Sequence, residues 1–216
     1  MTTSTADREQ LASFLMTLRS DDGIGARVMT VVEAVPRRLF VGPDIADIFA
    51  DQSLPLECGQ TMPSARAAVR LAGALRVQPE SRILEIGTGS GYVTALLARL
   101  GLHVTTLDRY KTLLTRAAER LKACGITNVT YIQEDGRDGY AGQAPFDRIV
   151  VHASFEALPR AFVEQMASQG ILVTAIGAPG ERQRIVRHQK LGSRFEEELL
   201  FDARLQPLER GVATLL

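Results

Sequence analysis

Ile83-Leu84-Glu85-Ile86-Gly87-Thr88-Gly89-Ser90-Gly91-Tyr92 decides the fold of this 216-residue chain. Arg82 to Ile86 is an apolar run that reads as a buried strand, and it stops at Gly87, Gly89 and Gly91. Val93, Leu96, Leu97 and Leu100 then recur at i, i+3, i+4 and i+7, the period of an amphipathic helix. Glycine lets the backbone turn at positive φ and lets a ligand approach where a Cβ would stand. Strand, glycine loop and helix N-terminus form the nucleotide-binding crevice of open α/β sheets. The spacing is G-x-G-x-G, not the dinucleotide G-x-G-x-x-G, and an acid, Glu85, lies inside the strand end.

Outward from this loop the pattern alternates. Strands are expected at 82–86, 103–107, 128–132, 147–151 and 170–176, and helices at 91–100, 110–124 and 157–167. That rhythm implies a parallel sheet with helices on both faces. Arg182 to Leu208 reads as two further strands joined at Leu191-Gly192-Ser193. Upstream, residues 1–10 are expected to fray, and 8–19 and 26–34 are helical in period, split by Asp21-Asp22-Gly23-Ile24-Gly25. Asp44 to Ala50 is a short helix or irregular, Ser53 to Leu56 is extended, and Ser64 is placed to cap a helix over 65–75. The fold expected is α/β: a doubly wound, mostly parallel sheet with a C-terminal antiparallel hairpin and N-terminal helices.

One domain over 1–216 fits the length. Within it, 1–78 form a helical, substrate-side segment, 79–180 a nucleotide-binding core, and 181–216 the hairpin and tail. Lys+Arg and Asp+Glu are equal at 25 each, and no basic run is interleaved with aromatics, which argues against a nucleic-acid partner. Met1 to Gln10 is polar and no 18-residue apolar stretch occurs, so neither a signal peptide nor a membrane span is expected. Cys58 and Cys124 have no metal-ligand spacing and no His/Cys cluster beside them, so no metal is expected and both read as packing thiols. A cytoplasmic location is the default.

Asp108 ends the second strand, 21 residues after Gly87. That is close to the ~20 residues separating a glycine loop from the acid that accepts from ribose hydroxyls. Its other reading is a cap for the helix beginning near Arg109, and both can hold. Asp135 follows the third strand, where it can accept from an adenine amine or simply form an Asp-Gly turn with Gly136. The fourth strand leads into His152-Ala153-Ser154, making His152 and Ser154 candidates for substrate contact. His103 and His188 attract no mechanism.

The glycine loop resembles motif I of S-adenosylmethionine-dependent methyltransferases. More specifically, the chain from Val32 to Leu208 resembles the protein-L-isoaspartate O-methyltransferase family. The resemblance rests on Val32-Glu33-Ala34-Val35-Pro36-Arg37-Arg38-Leu39-Phe40-Val41, on Ala50 to Leu56 with Gly59-Gln60-Thr61, and on Ile83 to Leu97. It continues through Ala144 to Val151, Phe195 to Phe201 and Gln206-Pro207-Leu208. It implies a Rossmann-like methyltransferase fold in which Glu85, Gly87, Thr88, Gly89, Ser90, Gly91, Asp108, Arg109, Asp135 and Gly136 hold S-adenosylmethionine, leaving S-adenosylhomocysteine as product. Gln60, Thr61 and Ser64 would be catalytic, and Met62, Pro63 and His152 would contact the substrate.

The reaction so implied moves a methyl group to the α-carboxylate of L-isoaspartyl, and also D-aspartyl, residues in damaged proteins and peptides. A monomer free of nucleic acid and membrane is expected. The ester then cyclises to a succinimide, which hydrolyses partly to normal aspartate. A carboxylate is already a nucleophile at neutral pH, so positioning supplies much of the rate. Departures cluster on the substrate side. Where the family usually reads Gly-Gln-Thr-Ile-Ser, this chain has Gly59-Gln60-Thr61-Met62-Pro63-Ser64, and proline carries neither a hydroxyl nor an N–H. The usual Thr-Ala-Ala-Ala is His152-Ala153-Ser154-Phe155, and the usual Pro-Gly-Gly is Ser168-Gln169-Gly170. Two other readings therefore stand beside the first: a methyltransferase with another acceptor, and a cofactor-binding module without turnover.

Overall fold

A computed structural model describes residues 4–21, 23–192 and 194–213. Helices α1 (Thr5–Leu18) and α2 (Ala26–Ala34) lead to a ribbon of β1 (Leu54–Pro55) and β2 (Thr61–Met62), then to α3 (Ala65–Ala74). Next comes the alternating part: β3 (Arg82–Ile86), α4 (Tyr92–Leu100), β4 (His103–Asp108), α5 (Lys111–Ala123) and β5 (Val129–Gln133). After it come β6 (Phe146–Phe155), α6 (Arg160–Gln165), β7 (Met166–Ile176), β8 (Gln183–Leu191) and β9 (Arg194–Ala203). The seven-stranded sheet runs β5-β4-β3-β6-β7-β8-β9. Its first five strands are parallel, and β8 and β9 add antiparallel pairings at one edge, as the sequence implied. From β3 the chain winds outward through β4 and β5, then returns to β6 on the other side. The crevice outside the carboxyl ends of β3 and β6 is therefore the topological switch point, where open α/β sheets bind ligands.

Side chains of a strand alternate between faces. Ile83, Val104, Val150 and Val173 meet the helical layer of α1 to α5, whereas Leu84, Ile86, Leu107 and Leu172 face Phe162 of α6. The two faces are covered unequally. Between β5 and β6 the chain makes only short 3-10 turns at Gly136–Asp138 and Ala141–Gln143.

Several expectations are corrected. The helix expected over 157–167 is confined to Arg160–Gln165. Pro159 disfavours helix at the residue before it, and Met166 already pairs with Phe146 in the sheet. β6 extends to Phe155, so His152 and Ser154 belong to the strand, past a register shift between Val150 and Ser154. Helix α1 begins at Thr5 rather than fraying to residue 10: the Ser4 side chain accepts from the Asp7 N–H at 3.0 Å. Residues 1–3 lie outside the described residues, as do Asp22 of the turn before α2 and Ser193 of the hairpin turn. Asp44 to Ala50 is irregular. The second hairpin strand stops at Ala203, and the chain beyond it crosses the sheet's carboxyl edge as a tail. There the Ser154 N–H donates to Gln206 O at 3.0 Å and the Ala213 N–H to Arg109 O at 3.1 Å.

Candidate active site

Gly87, Gly89 and Gly91 take φ of +93°, +52° and +84°, so the loop after β3 uses the freedom that only glycine has cheaply. The Gly87 N–H donates to Leu107 O at 2.8 Å, tying the loop to β4. Asp108 completes the tie: Oδ2 accepts from the Gly89 N–H and Oδ1 from the Tyr110 N–H, each at 3.0 Å. It is not the side-chain cap of α5, which starts at Lys111 without one. Burial pushes the Asp108 carboxyl above the ordinary aspartate range, against the opposing pull of the Tyr110 and Gly89 amides.

Glu85 is fully buried. Its Oε2 accepts from Thr94 Oγ1 at 2.5 Å and Thr106 Oγ1 at 2.8 Å, and its Oε1 lies 3.0 Å from His152 Nε2. Thr106 has one hydroxyl proton and gives it to Glu85, so Thr88 is the donor in the 2.6 Å contact between the two threonines. Ser90 Oγ accepts from the Tyr92 N–H at 3.2 Å. Glu85, Thr88, Ser90 and Gly91 thus sit behind the cleft wall and shape the loop from below.

Gly87, Gly89, Asp108, Arg109, Asp135, Gly136 and His152 line one cleft of about 540 Å³ together with Gln60, Thr61, Pro63 and Ser64. The structure brings together most of the residues singled out in the sequence. Asp135 does form the Asp-Gly turn, accepting from the Arg137 N–H at 3.0 Å, while its Oδ2 accepts from the Gly211 N–H at 2.7 Å. A Cβ on Gly136 would stand 2.4 Å from Ile86 Cγ2, so no larger residue fits between that turn and β3.

Met62 stands apart. It is 2% exposed and belongs to the core, while its neighbour Thr61 is exposed. They fall on opposite faces of the two-residue strand β2. Ser64 caps α3: Oγ accepts from the Ala67 N–H at 3.2 Å and donates its proton to Asp51 Oδ1 at 2.6 Å. Ser64→Ala is expected to cost about 1 kcal/mol as a lost cap and to lower Tm by roughly 2–4 °C. A fall in kcat of more than tenfold without that shift would make Ser64 a donor to the reacting group instead. The loop rests on Arg37, 1% exposed, whose Nε donates to Ile48 O at 2.7 Å and whose guanidinium reaches Pro63 O at 3.2 Å. Ser154 is buried beneath the tail.

Two parts of the wall were missed in the sequence. Tyr110 faces the cleft two residues after Asp108, with its hydroxyl 3.5 Å from Gln60 Nε2. Residues 201–209 close the opposite side, and Glu209 pairs with Arg109. Nothing local in Gln206 to Glu209 signals this, because the contact spans 100 residues.

The cleft's size is that of a small-molecule site, typically ~300–1,000 Å³. The order of strands sorts it. Asp135 stands at β5, Asp108 at β4 and the glycine loop at β3, a linear wall suited to adenine, ribose and an amino-acid chain in that order. The buried Asp108 carboxylate, with only amide partners among the described residues, fits a ligand that brings hydroxyl donors.

This fold and site define an S-adenosylmethionine-dependent methyltransferase. The protein-L-isoaspartate(D-aspartate) O-methyltransferase family model matches residues 10–211, and the chain belongs to that family. A protein-L-isoaspartate O-methyltransferase of Azorhizobium caulinodans is 41% identical over 217 residues, covering 100% of both chains. One of Rhizobium meliloti is 41% identical over 200 residues, 92% of this chain and 98% of the relative. Among solved structures, a Plasmodium falciparum chain described as a protein-L-isoaspartate O-methyltransferase, in complex with S-adenosyl-L-homocysteine, superposes with a TM-score of 0.77. At 23% identity, over 96% of this chain and 99% of that one, it supports the fold.

Proposed function

We propose that this chain methylates the α-carboxylate of L-isoaspartyl residues in damaged proteins and peptides, starting their repair through a succinimide. The observation that carries the reading is one cleft joining the wall of Gly87, Asp108 and Asp135 to the Gln60–Ser64 loop, in a chain of this family. When bound, S-adenosylmethionine supplies an electrophilic methyl group on a sulfonium sulfur. Gly87 and Gly89 leave room for its methionine end, Asp108 accepts from ribose, and Asp135 with Gly136 borders adenine. Gln60 and Thr61 overhang the acceptor side and Pro63 restricts it. No group in the chain has to remove a proton, because the acceptor is already a carboxylate; the residues hold it in line and exclude water. The protein acts as a monomer in the cytoplasm on isoaspartyl-containing partners. Among the described residues no helix is long and apolar enough to cross a membrane.

Transfer of labelled methyl from S-adenosylmethionine to an isoaspartyl peptide, against the matched aspartyl peptide, tests this. Base-labile label on the isoaspartyl peptide alone is the expected result. No label, from protein that binds the cofactor, would refute isoaspartyl acceptance.

A further inference from the structure

We propose that His152, held by Glu85, is the residue that binds the acceptor carboxylate. The inference rests on the isoaspartyl reading and names the group that recognises that substrate. The cofactor wall occupies the ends of β5, β4 and β3, so the acceptor must approach from β6, the next strand in the sheet. His152 is on β6 one residue beyond Val151, the partner of Ile86, and it lines the cleft.

Two positions of the Gln60–Ser64 loop cannot do this work, although Gln60 and Thr61 still border the acceptor. Pro63 has no donor, and Ser64 gives its one hydroxyl proton to Asp51. His152 is placed for it. Its Nε2 rests on Glu85 Oε1 at 3.0 Å, and Gly87 packs so closely that a Cβ there would lie 3.2 Å from the histidine Cβ. Its Nδ1 makes no hydrogen bond with the described residues, and the side chain keeps 14% exposure, on the cleft.

The ring has two donor patterns to offer. A neutral ring donating Nε2–H to Glu85 presents a lone pair at Nδ1, which repels a carboxylate. An imidazolium donates from both nitrogens. Glu85 is wholly buried, and its other partners among the described residues are the uncharged hydroxyls of Thr94 and Thr106. The bound state is a carboxylate–imidazolium–carboxylate row, its extra proton taken from solvent as the acceptor enters.

Glu85 is the titratable group in contact with the ring. Of the other charged cleft residues, Arg66 pairs with Asp21, Arg109 with Glu209 and Asp202 with Arg182, Arg70 donates to Leu200 O, Asp108 and Asp135 accept from backbone amides and Asp51 from Ser64, while Glu134 and Arg204 line the cleft further from β6 in sequence. Methylation removes the negative charge that the row recognises, so the ester is released more readily than the acid is bound.

The test combines calorimetry of isoaspartyl-peptide binding, with S-adenosylhomocysteine present, and steady-state kinetics. For His152→Gln, peptide Kd and KM should rise about tenfold or more, with the loss falling on KM rather than kcat. Adding Pro63→Ser to this variant should restore part of its affinity. In the wild type, ¹⁵N signals of the ring should move from the Nε2–H tautomer to the imidazolium pattern on saturation with peptide, a readout that needs no variant. An active His152→Gln with wild-type Kd, or unmoved ring signals, would overturn the inference alone. A wild type that methylates no isoaspartyl peptide would overturn it together with the acceptor assignment.

Discussion

Asp108→Ala is expected to weaken S-adenosylmethionine binding roughly 10- to 150-fold, the equivalent of about 1.5–3 kcal/mol for hydrogen bonds to a charged group. The carboxylate is 8% exposed and accepts from the Gly89 and Tyr110 amides. The second role proposed for it, accepting from ribose hydroxyls, would use the lone pairs left over. Alanine removes both roles and leaves two loop amides without their acceptor. Titration calorimetry with the cofactor measures the loss; unchanged affinity would reduce Asp108 to a bend former.

The wild type carries a pH signature of its own. Burial, the first cause, raises the Asp108 pKa above the ordinary aspartate value, and only the ionised form accepts from both hydroxyls. Cofactor affinity should therefore fall as pH drops through that raised value, earlier on acidification than an exposed aspartate would allow. Folding linkage has the opposite sense. Between the unfolded and folded pKa the native state holds more protons, so this group makes the unliganded protein less stable as pH rises through that window.

The cofactor half of this site was legible in the sequence because its chemistry is local. Three glycines at fixed spacing need positive φ, and an acid at the end of the next strand falls beside them through the sheet pairing. The mostly parallel sheet followed from the same alternation, and the family signatures from Val32 onward agreed with it. The acceptor half was legible only in part. Thr61 and Met62 are adjacent in sequence yet one lines the cleft and the other fills the core, a difference set by a two-residue strand too short to show a pattern. Contacts such as His152 with Glu85, 67 residues apart, and Arg109 with Glu209 are consequences of assembled topology. Thr88 and Ser90 pass for cofactor contacts in the sequence because the loop they belong to binds the ligand. Their hydroxyls instead turn inward to satisfy Thr106 and the Tyr92 amide.

Gly91 carries the same lesson in its largest form. Its place in the loop marks it as a cofactor residue, but the structure assigns it the meeting of two helices. Its φ of +84° precedes α4, and a Cβ there would lie 2.8 Å from Leu121 Cδ1 and 2.9 Å from Ala117 Cβ, both on α5. Gly91→Ala is thus expected to destabilise the protein by about 2–5 kcal/mol. Of this, roughly 1–2 comes from the left-handed backbone and about 1–3 from overpacking. For a chain of this length the fall in Tm is roughly 4–20 °C, and the energy lost is a large share of the ~5–15 kcal/mol that stabilises a typical domain. Leu121 can turn away, but Ala117 has no rotamer to yield, so α5 itself must shift. Because α5 follows directly on Asp108 and Tyr110, that shift should weaken cofactor binding as a secondary effect. Thermal unfolding with and without S-adenosylmethionine separates the two. A variant that keeps the wild-type Tm but loses the cofactor would return Gly91 to the binding wall, whereas a lower Tm with ligand stabilisation largely preserved would make it the spacer between α4 and α5.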